Sequence, residues 1–253
     1  MILSVVLITC NEEANLARTL ASVQPLIENG QGEIIVVDSG STDRTLEIAK
    51  SFGAKVFVEP WKGFAAQKNS AIEKATGDWV LSLDADEEVS LELITAIQAG
   101  GGDSRGFRIP RKNFFLGRWI RHGGFWPDPK LRLFQKGAAR FEDRAVHEDA
   151  RLDGGVAGEL GGALLHHAYP TLSSYIEHMN RYSTLGAEMA VAGGYRGFSS
   201  IAVVLRPMAT FIYNYIFRLG FLDGREGLLL HLYHAVYVSW KYAKAWEMTR
   251  ARK

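Results

Sequence analysis

Short apolar runs alternate with amphipathic segments over residues 1–100 of the chain. Two of the runs, Leu3–Thr9 and 33–38, are almost wholly apolar, which is typical of parallel strands buried on both faces. The pattern then predicts further elements, namely helices over 44–52 and 64–75 and strands over 55–59 and Trp79–Asp84. Strands that alternate with helices in this way predict an α/β fold with a mostly parallel sheet.

The pattern loosens beyond residue 100 and then becomes helical. Glycines, aromatic residues and charges are mixed between residues 100 and 162, a composition typical of binding loops. From about Ser173 the spacing predicts helices. Two segments there, 201–221 and 228–240, are strongly apolar.

Composition and charge narrow the function classes. The 253 residues carry 29 basic and 28 acidic side chains, without the basic excess expected of a protein that binds nucleic acid. Cys10 is the single cysteine, which excludes an intramolecular disulfide and suits a reducing compartment. The opening apolar run has no basic leader and is too short for a secretory signal. We therefore expect a cytoplasmic protein.

The end of the predicted fourth strand carries a cluster of acids. Asp84 and Asp86 stand two residues apart where the chain turns, and Glu87 and Glu88 follow directly. Carboxylates in this arrangement can converge on one hard cation, and Mg²⁺ and Mn²⁺ commonly hold substrate phosphates in their remaining positions. The alternative is a solvated acidic turn in which Glu87 and Glu88 begin a helix. The position at a strand end favours the metal site.

Asp38 ends the predicted second strand and is followed by a turn-rich segment, 39–43. Ligands of open α/β sheets bind at the carboxyl ends of strands, where Asp38 can accept a hydrogen bond from a base or a ribose. We expect Asp43 to cap the next helix and Asn11 to cap the helix after the first strand. The chain contains no glycine-rich dinucleotide fingerprint after its first strand and no Walker A sequence.

Three motifs together resemble family 2 glycosyltransferases. They are VVLITCNEE at 5–13, IIVVDSGSTD at 34–43 and LDADE at 83–87. The run WKGFAAQKN at 61–69 is similar to the bacterial branch that includes the lipopolysaccharide inner-core β-1,4-glucosyltransferase. The resemblance implies the GT-A fold, a mostly parallel sheet flanked by helices, with a C-terminal helical annex.

The resemblance also implies a nucleotide-sugar site on these motifs. Thr9, Asn11 and Glu12 would border the nucleotide, and Asp38 would contact the uracil. Lys68 would lie near the uridine or the diphosphate.

The same resemblance implies that Asp84 faces the ribose or the donor sugar and that Asp86 ligates a divalent cation, Mg²⁺ or Mn²⁺. The leaving diphosphate gains negative charge during transfer, and a cation together with Lys68 would stabilise it.

An inverting transferase needs a general base to take the proton of the acceptor hydroxyl. We expect this base in the segment 141–149. Glu148, which follows His147, is the first candidate, Asp149 the second and Asp143 the third; each could also be an ordinary surface acid.

Aromatic and basic residues are mixed in 114–119 and 122–128. The aromatic rings suit sugars, or they pack on the sheet, and several cations could meet acceptor phosphates or the donor diphosphate: Arg118, Arg121, Lys130 and Arg132. His166 and His167 might suggest a metal pair, but adjacent side chains diverge in regular structure, so we expect no metal role there.

The apolar C-terminal segments are predicted to form an interfacial membrane anchor. The first is interrupted by Arg206 and Pro207, and neither reaches the ~20 apolar residues that a spanning helix needs. Tyrosines, tryptophans and cations near them are typical of helices that lie in the headgroup plane. The alternative is an annex that packs on the catalytic core or on a second subunit.

The domain division follows from these interpretations. We expect a catalytic domain over 1–165, with a nucleotide-binding half (1–100) and an acceptor-side half (101–165), and a helical, membrane-associating region over 166–253.

The favoured function is an inverting, metal-dependent transfer of a hexose, first of all glucose from UDP-glucose, to a lipopolysaccharide core or related cell-envelope acceptor. The partners would be the nucleotide sugar, a lipid-linked saccharide and the membrane, with no nucleic acid. The location would be the cytoplasmic side of the bacterial inner membrane. A polyprenyl-phosphate glycosyltransferase is the nearest alternative, a sugar nucleotidyltransferase a more distant one, and a nucleotide-sugar-binding membrane scaffold the non-enzyme alternative.

Overall fold

The computed structural model describes residues 2–30, 32–100, 102–142 and 149–250. The chain forms two compact units. Unit 1 consists of Met1–Arg111 and Pro129–His166, and unit 2 of Lys112–Asp128 and His167–Lys253. Residues 112–128 therefore belong with the C-terminal part of the chain.

The strands, helices and short helical segments have the following residue ranges, each type given in chain order. The strands are β1 Leu3–Thr9, β2 Gly32–Asp38, β3 Lys55–Val58, β4 Trp79–Asp84, β5 Glu87–Val89, β6 Gly106–Ile109, β7 Arg111–Phe115, β8 Arg118–Trp119, β9 Lys130–Gln135, β10 Ala139–Phe141, β11 Ala150–Leu152, β12 Gly158–Glu159 and β13 Leu164–Tyr169. The helices are α1 Leu16–Ile27, α2 Thr45–Ser51, α3 Phe64–Glu73, α4 Leu91–Ala99, α5 Leu172–Ala192, α6 Arg206–Ile212 and α7 Gly224–Arg250. Short 3₁₀ segments cover Glu28–Gly30 and Gly220–Asp223, and π-helical segments cover Ile201–Leu205 and Tyr213–Phe217.

The main sheet of unit 1 has the strand order β12-β6-β9-β4-β1-β2-β3. β4, β1, β2 and β3 are mutually parallel, and β9 runs antiparallel between β4 and β6. Thr9 lies opposite Asp38 and Ile8 opposite Asp84, so the carboxyl ends of β1, β2 and β4 share one edge. The prediction of a mostly parallel α/β sheet is confirmed.

The core of unit 1 covers both faces of this sheet. The side chains of β1 are buried on either face, because Val5 and Leu7 pack on one side and Val6 on the other. Helices α1 and α4 supply apolar side chains to the first face, and α3 supplies them to the second. This burial holds the strand ends, and the polar loops that follow them, in fixed positions.

One predicted helix cap is wrong. Asn11 has a left-handed backbone, with φ of 56°, and α1 begins only after Asn15. Asn11 therefore belongs to the loop between β1 and α1, where its side chain accepts a hydrogen bond from a neighbouring loop rather than from its own helix.

Unit 2 is mainly helical. Thr171 and Ser174 form a capping box at the start of α5, and α5 packs along α7. The helical path continues from Ile201 through Pro207 to Phe217, because the π-helical segment before Pro207 accommodates its missing N–H donor. None of the helices in the described ranges is long and apolar enough to cross a bilayer.

Candidate active site

Asp38 organises the loop that follows β2. Its side chain is fully buried; Oδ1 accepts from the N–H groups of Gly40 and Ser41, each at 2.8 Å, and Oδ2 accepts from Thr9 Oγ1 at 2.8 Å. Gly40 has a φ of 95°, which a residue with a side chain rarely adopts. The carboxylate thus ties the end of β1 to a tight turn after β2. Its contact with uracil stays a prediction.

The loops after β1 and β2 are interlocked by side-chain hydrogen bonds. Asn11 Oδ1 accepts from Thr42 N at 2.8 Å, and Glu12 N donates to Thr45 Oγ1 at 2.8 Å. Asp43 accepts from the N–H of Thr45, the first residue of α2, at 3.0 Å, but the N-cap position is occupied by Arg44, so the prediction that Asp43 is the cap is wrong. Thr9, Asn11, Glu12 and Asp38 therefore lie along one connected rim.

The turn after β4 is anchored by α1. Thr19 Oγ1 donates to the carbonyl of Ala85 at 2.7 Å, and Val89 N donates to Ser22 Oγ at 3.0 Å. Glu87 begins β5, so the alternative in which it begins a helix is wrong. These contacts fix the backbone on both sides of Asp86.

A network of ion pairs lies at the end of β4. The carboxylate of Asp84 is 2.7 Å from Lys68 Nζ and 2.5 Å from Arg132 Nη2. Arg132 also donates to Glu87 at 2.7 Å, and Arg111 lies 3.2 Å from the same Glu87 oxygen. Glu87 is 0% and Arg132 only 4% exposed. Each buried charge therefore needs its oppositely charged partner to offset the loss of solvation.

Asp84 and Arg132 stay ionised despite their burial. Burial raises the pKa of Asp84, but the positive charges of Arg132 and Lys68 outweigh it and hold the pKa well below its usual range. Burial would lower the pKa of Arg132, whereas Asp84 and Glu87 raise it above its ordinary value. The expectation that Arg132 meets a substrate phosphate is wrong, because the side chain is enclosed between these two acids.

Asp86 faces His166 across the turn. The antiparallel pairing of β5 with β13 sets His166 beside Glu87, and His166 Nε2 is 3.5 Å from Asp86 Oδ2. Burial opposes ionisation of both groups. Nevertheless, His166 lowers the pKa of Asp86, and Asp86 raises the pKa of His166. A carboxylate oxygen and an imidazole nitrogen thus lie close together at the acidic turn.

Glu12 connects the rim to this acidic turn. Burial raises the pKa of Glu12, and the negative charges of Asp86, Asp43 and Asp84 raise it further against a lowering hydrogen bond from Asn15. Mutual repulsion of this kind among carboxylates favours binding of a cation nearby.

The predicted general bases are placed differently. Asp143 and Glu148 lie outside the described residues. Asp149 precedes β11, and its carboxylate is 3.9 Å from Arg108 Nη1. Its catalytic role stays a prediction.

His166 is a functional candidate that sequence reasoning set aside. Its side chain does diverge from that of His167, which stacks on Phe114 with ring centroids 4.9 Å apart. The contact with Asp86 depends on the pairing of β13 with β5, two strands that are far apart in the sequence, and no local pattern indicates it. In the described ranges, no group of three His, Cys, Asp or Glu side chains converges on one point.

A family model that covers more than half of the chain identifies its family. The model "Glycosyl transferase family 2" matches residues 4–148, which include the acidic turn and the loops after β1 and β2. The chain belongs to this family. As a family 2 glycosyltransferase it is an enzyme, and its C-terminal helical region follows the matched part.

Relatives match the enzyme over nearly its full length. The lipopolysaccharide core biosynthesis glycosyltransferase LpsC of Rhizobium meliloti (strain 1021) is 31% identical over 97% of this chain and 92% of its own. A glycosyltransferase of Rickettsia typhi is 33% identical over 90% of this chain and 80% of its own.

Solved structures confirm the GT-A fold. The mannosyltransferase PcManGT of Pyrobaculum calidifontis, in complex with GDP-Man and Mn²⁺, aligns over 96% of this chain and 86% of its own, with a TM-score of 0.56 and 15% identity. S. aureus TarS 1-349 in complex with UDP aligns over 100% of this chain and 92% of its own, with a TM-score of 0.52 and 18% identity.

Proposed function

We propose that this enzyme transfers a hexose, first of all glucose from UDP-glucose, to a saccharide of the lipopolysaccharide core or a related cell-envelope glycan, with inversion at the sugar carbon. The observation that carries the proposal is Asp86 facing His166 beside the interlocked loops of β1 and β2. LpsC, which aligns over most of both chains, supports the class of acceptor.

Asp86 and His166 fit a divalent cation. One carboxylate oxygen from the turn after β4 and one imidazole nitrogen from β13 suit Mn²⁺ or Mg²⁺, and two protein ligands leave positions for diphosphate oxygens. Such a cation would stabilise the charge that develops on the leaving diphosphate. PcManGT, which shares the fold, was solved with Mn²⁺.

The buried ion pairs then hold Asp84 in place for the donor. Lys68 and Arg132 keep Asp84 ionised and fix its orientation, while 28% of its side chain remains accessible. An oriented carboxylate at this edge can accept hydrogen bonds from the hydroxyls of the ribose or the donor sugar.

The segment that carries the proposed base is tethered close to this network. Asn69 and Phe141 exchange two hydrogen bonds of 2.9 Å, Lys68 Nζ is 5.1 Å from the centre of the Phe141 ring, and Phe141 pairs with Ala150. Both described ends of the segment therefore meet beside Lys68, the partner of Asp84. This supports a base in this segment; Glu148 stays the first candidate, before Asp149 and Asp143.

Glu148→Gln should lower kcat roughly a hundredfold or more, with little change in the KM of the donor, because only deprotonation of the acceptor is lost. Asp149→Asn and Asp143→Asn provide the comparison, measured by donor turnover with acceptor present. A hundredfold loss in Asp149→Asn instead moves the base to that residue. Full activity in all three variants favours a phosphate acceptor, which needs no base.

Asp38→Ala should weaken UDP binding at least about tenfold, since an unanchored loop loses the preorganised rim. Isothermal titration with UDP measures the effect. Asp103→Ala is the matched control, because it makes the same change at an exposed acid of unit 1. Equal UDP affinity in Asp38→Ala and the unchanged enzyme contradicts a role for Asp38 in donor binding.

A donor screen tests the proposed reaction. The purified enzyme is incubated with UDP-glucose, UDP-galactose or GDP-mannose, each with Mn²⁺, Mg²⁺ or a chelator, and release of the nucleotide is measured. We expect UDP-glucose to be turned over only with a cation. Preference for GDP-mannose contradicts the donor, and equal rates with the chelator contradict the metal.

A further inference from the structure

One segment of unit 2 exposes large apolar side chains along its whole length. Residues 201–222 contribute side chains that are between 44% and 73% exposed, which we call the apolar ridge. Its members include Ile201, Leu205, Met208, Ile212, Ile216 and Phe217. Monomeric proteins rarely expose so long a run of apolar residues without a binding partner.

The ridge is the outer face of a helical path whose inner face is already packed. Ala202, Pro207 and Gly220 are buried, and Ser239 of α7 donates to the carbonyl of Val203 at 2.8 Å. Exposed members recur at spacings of three or four residues, as one side of a helix requires, at Ile201, Leu205, Met208, Ile212 and Ile216. One face of this segment is therefore packed against the rest of unit 2, and the other face is exposed and available to a partner.

The charged residues within the ridge segment are all basic. Residues 189–222 contain no aspartate or glutamate, whereas Arg196, Arg206 and Arg218 lie among the apolar positions. Such a segment attracts anions. A symmetric dimer through this face would bring the arginines of two copies together without a carboxylate of the segment to offset them, which disfavours a second copy.

Aromatic residues accompany the arginines. Phe211 stacks on Tyr215, with ring centroids 5.1 Å apart, and the guanidinium of Arg218 is 5.5 Å from the centre of the Tyr213 ring. Aromatic rings beside cations, next to long apolar side chains, are the composition of helices that lie at the boundary between headgroups and acyl chains.

We propose that the apolar ridge docks on the surface of a bilayer that contains anionic lipids. The aliphatic and phenylalanine side chains enter the acyl boundary, and Arg206 and Arg218 meet lipid phosphates. The segment lies in the headgroup plane. This surface belongs to unit 2 and does not depend on the identity of the donor or the acceptor.

Vesicle binding by the full chain tests the proposal. Sedimentation with vesicles of phosphatidylglycerol and phosphatidylethanolamine should carry the protein down at low salt. Vesicles of phosphatidylcholine alone should carry down much less. Binding should weaken as salt rises, because the headgroup contacts are screened. Arg218→Gln should weaken it about fivefold, the equivalent of ~1 kcal/mol.

Ridge variants separate docking from folding. The double variant Ile212→Asp with Phe217→Asp should lose vesicle binding at least about tenfold while UDP affinity and the melting temperature stay unchanged. Val156→Asp is the matched control, because Val156 is 89% exposed and lies in unit 1. Phe217→Ser alone, at a side chain 73% exposed, gives a milder test should the double variant fail to fold.

Two results would overturn the proposal. The first is failure of the unchanged protein to bind the anionic vesicles at low salt. The second is a dimer in sedimentation without lipid that the ridge variants convert to monomer, which would assign the ridge to self-association. Neither result changes nucleotide release in the donor screen, so the proposed reaction is tested separately.

Discussion

Asp86→Asn should reduce turnover of the donor roughly a thousandfold, because the amide cannot replace the carboxylate as a metal ligand and the leaving diphosphate loses several kcal/mol of stabilisation. The two side chains are nearly equal in shape, and the turn is held by Thr19 and Ser22 rather than by Asp86 itself. The fold should therefore persist. Initial rates at saturating Mn²⁺, with melting curves of both proteins, measure the effect.

Glu88→Gln is the matched control for this variant. It makes the same acid-to-amide change two residues away, on a side chain that is 31% exposed and 3.9 Å from Arg18. Its rate should stay close to that of the unchanged enzyme. Rates in Asp86→Asn that match this control would remove Asp86 from the metal site.

Arg132→Met should lower the free energy of unfolding by about 3–5 kcal/mol, because it leaves Asp84 and Glu87 without their shared cation in a buried position. Urea denaturation at neutral pH measures the change. Arg140→Met, an exposed arginine on β10, should stay within about 0.5 kcal/mol. A loss below about 1 kcal/mol in Arg132→Met would mean that the acids find other partners.

The effect of Arg132→Met should depend on pH in a defined direction. Arg132 helps to depress the pKa of Asp84 in the folded state, so its contribution is complete above the unfolded pKa of about 3.9. The contribution is lost as pH falls towards the folded pKa. The difference between the two proteins should therefore shrink below about pH 4. A constant difference down to lower pH would contradict the depressed pKa.

The strand ends could be predicted from the sequence because their signals are local. The apolar runs that form β1 and β4 end at Thr9 and Asp84 in the structure as in the pattern. Parallel pairing then places Asp38 and Asp84 at one edge, as expected. The roles of these residues toward a nucleotide came from the family resemblance and stay predictions.

The remaining features depend on contacts that are distant in the sequence. Arg132 reaches Asp84 because β9 pairs antiparallel with β4, and His166 reaches Asp86 because β13 pairs with β5. The pattern of apolar and polar residues within β9 or β13 does not indicate which strand it pairs with. A charged residue inside the apolar strand β9 was nevertheless a usable signal, since a buried arginine needs an acid nearby.

Backbone conformation accounts for two further differences between the sequence predictions and the structure, at Asn11 and at Pro207. The left-handed backbone of Asn11 is set by its hydrogen bond with the loop after β2 and not by its own neighbours, so a capping rule could not predict it. Pro207 continues a helix because a π-helical segment precedes it, a conformation that sequence rules do not anticipate.

Diffraction from crystals soaked with UDP and Mn²⁺ tests the central claim most directly, since manganese scatters anomalously and can be located without reference to its ligands. We predict one anomalous peak within coordination distance of both the Asp86 carboxylate and the His166 Nε2, with diphosphate oxygens completing its shell. UDP bound beside the loops after β1 and β2, with no manganese at these two side chains, would contradict the account.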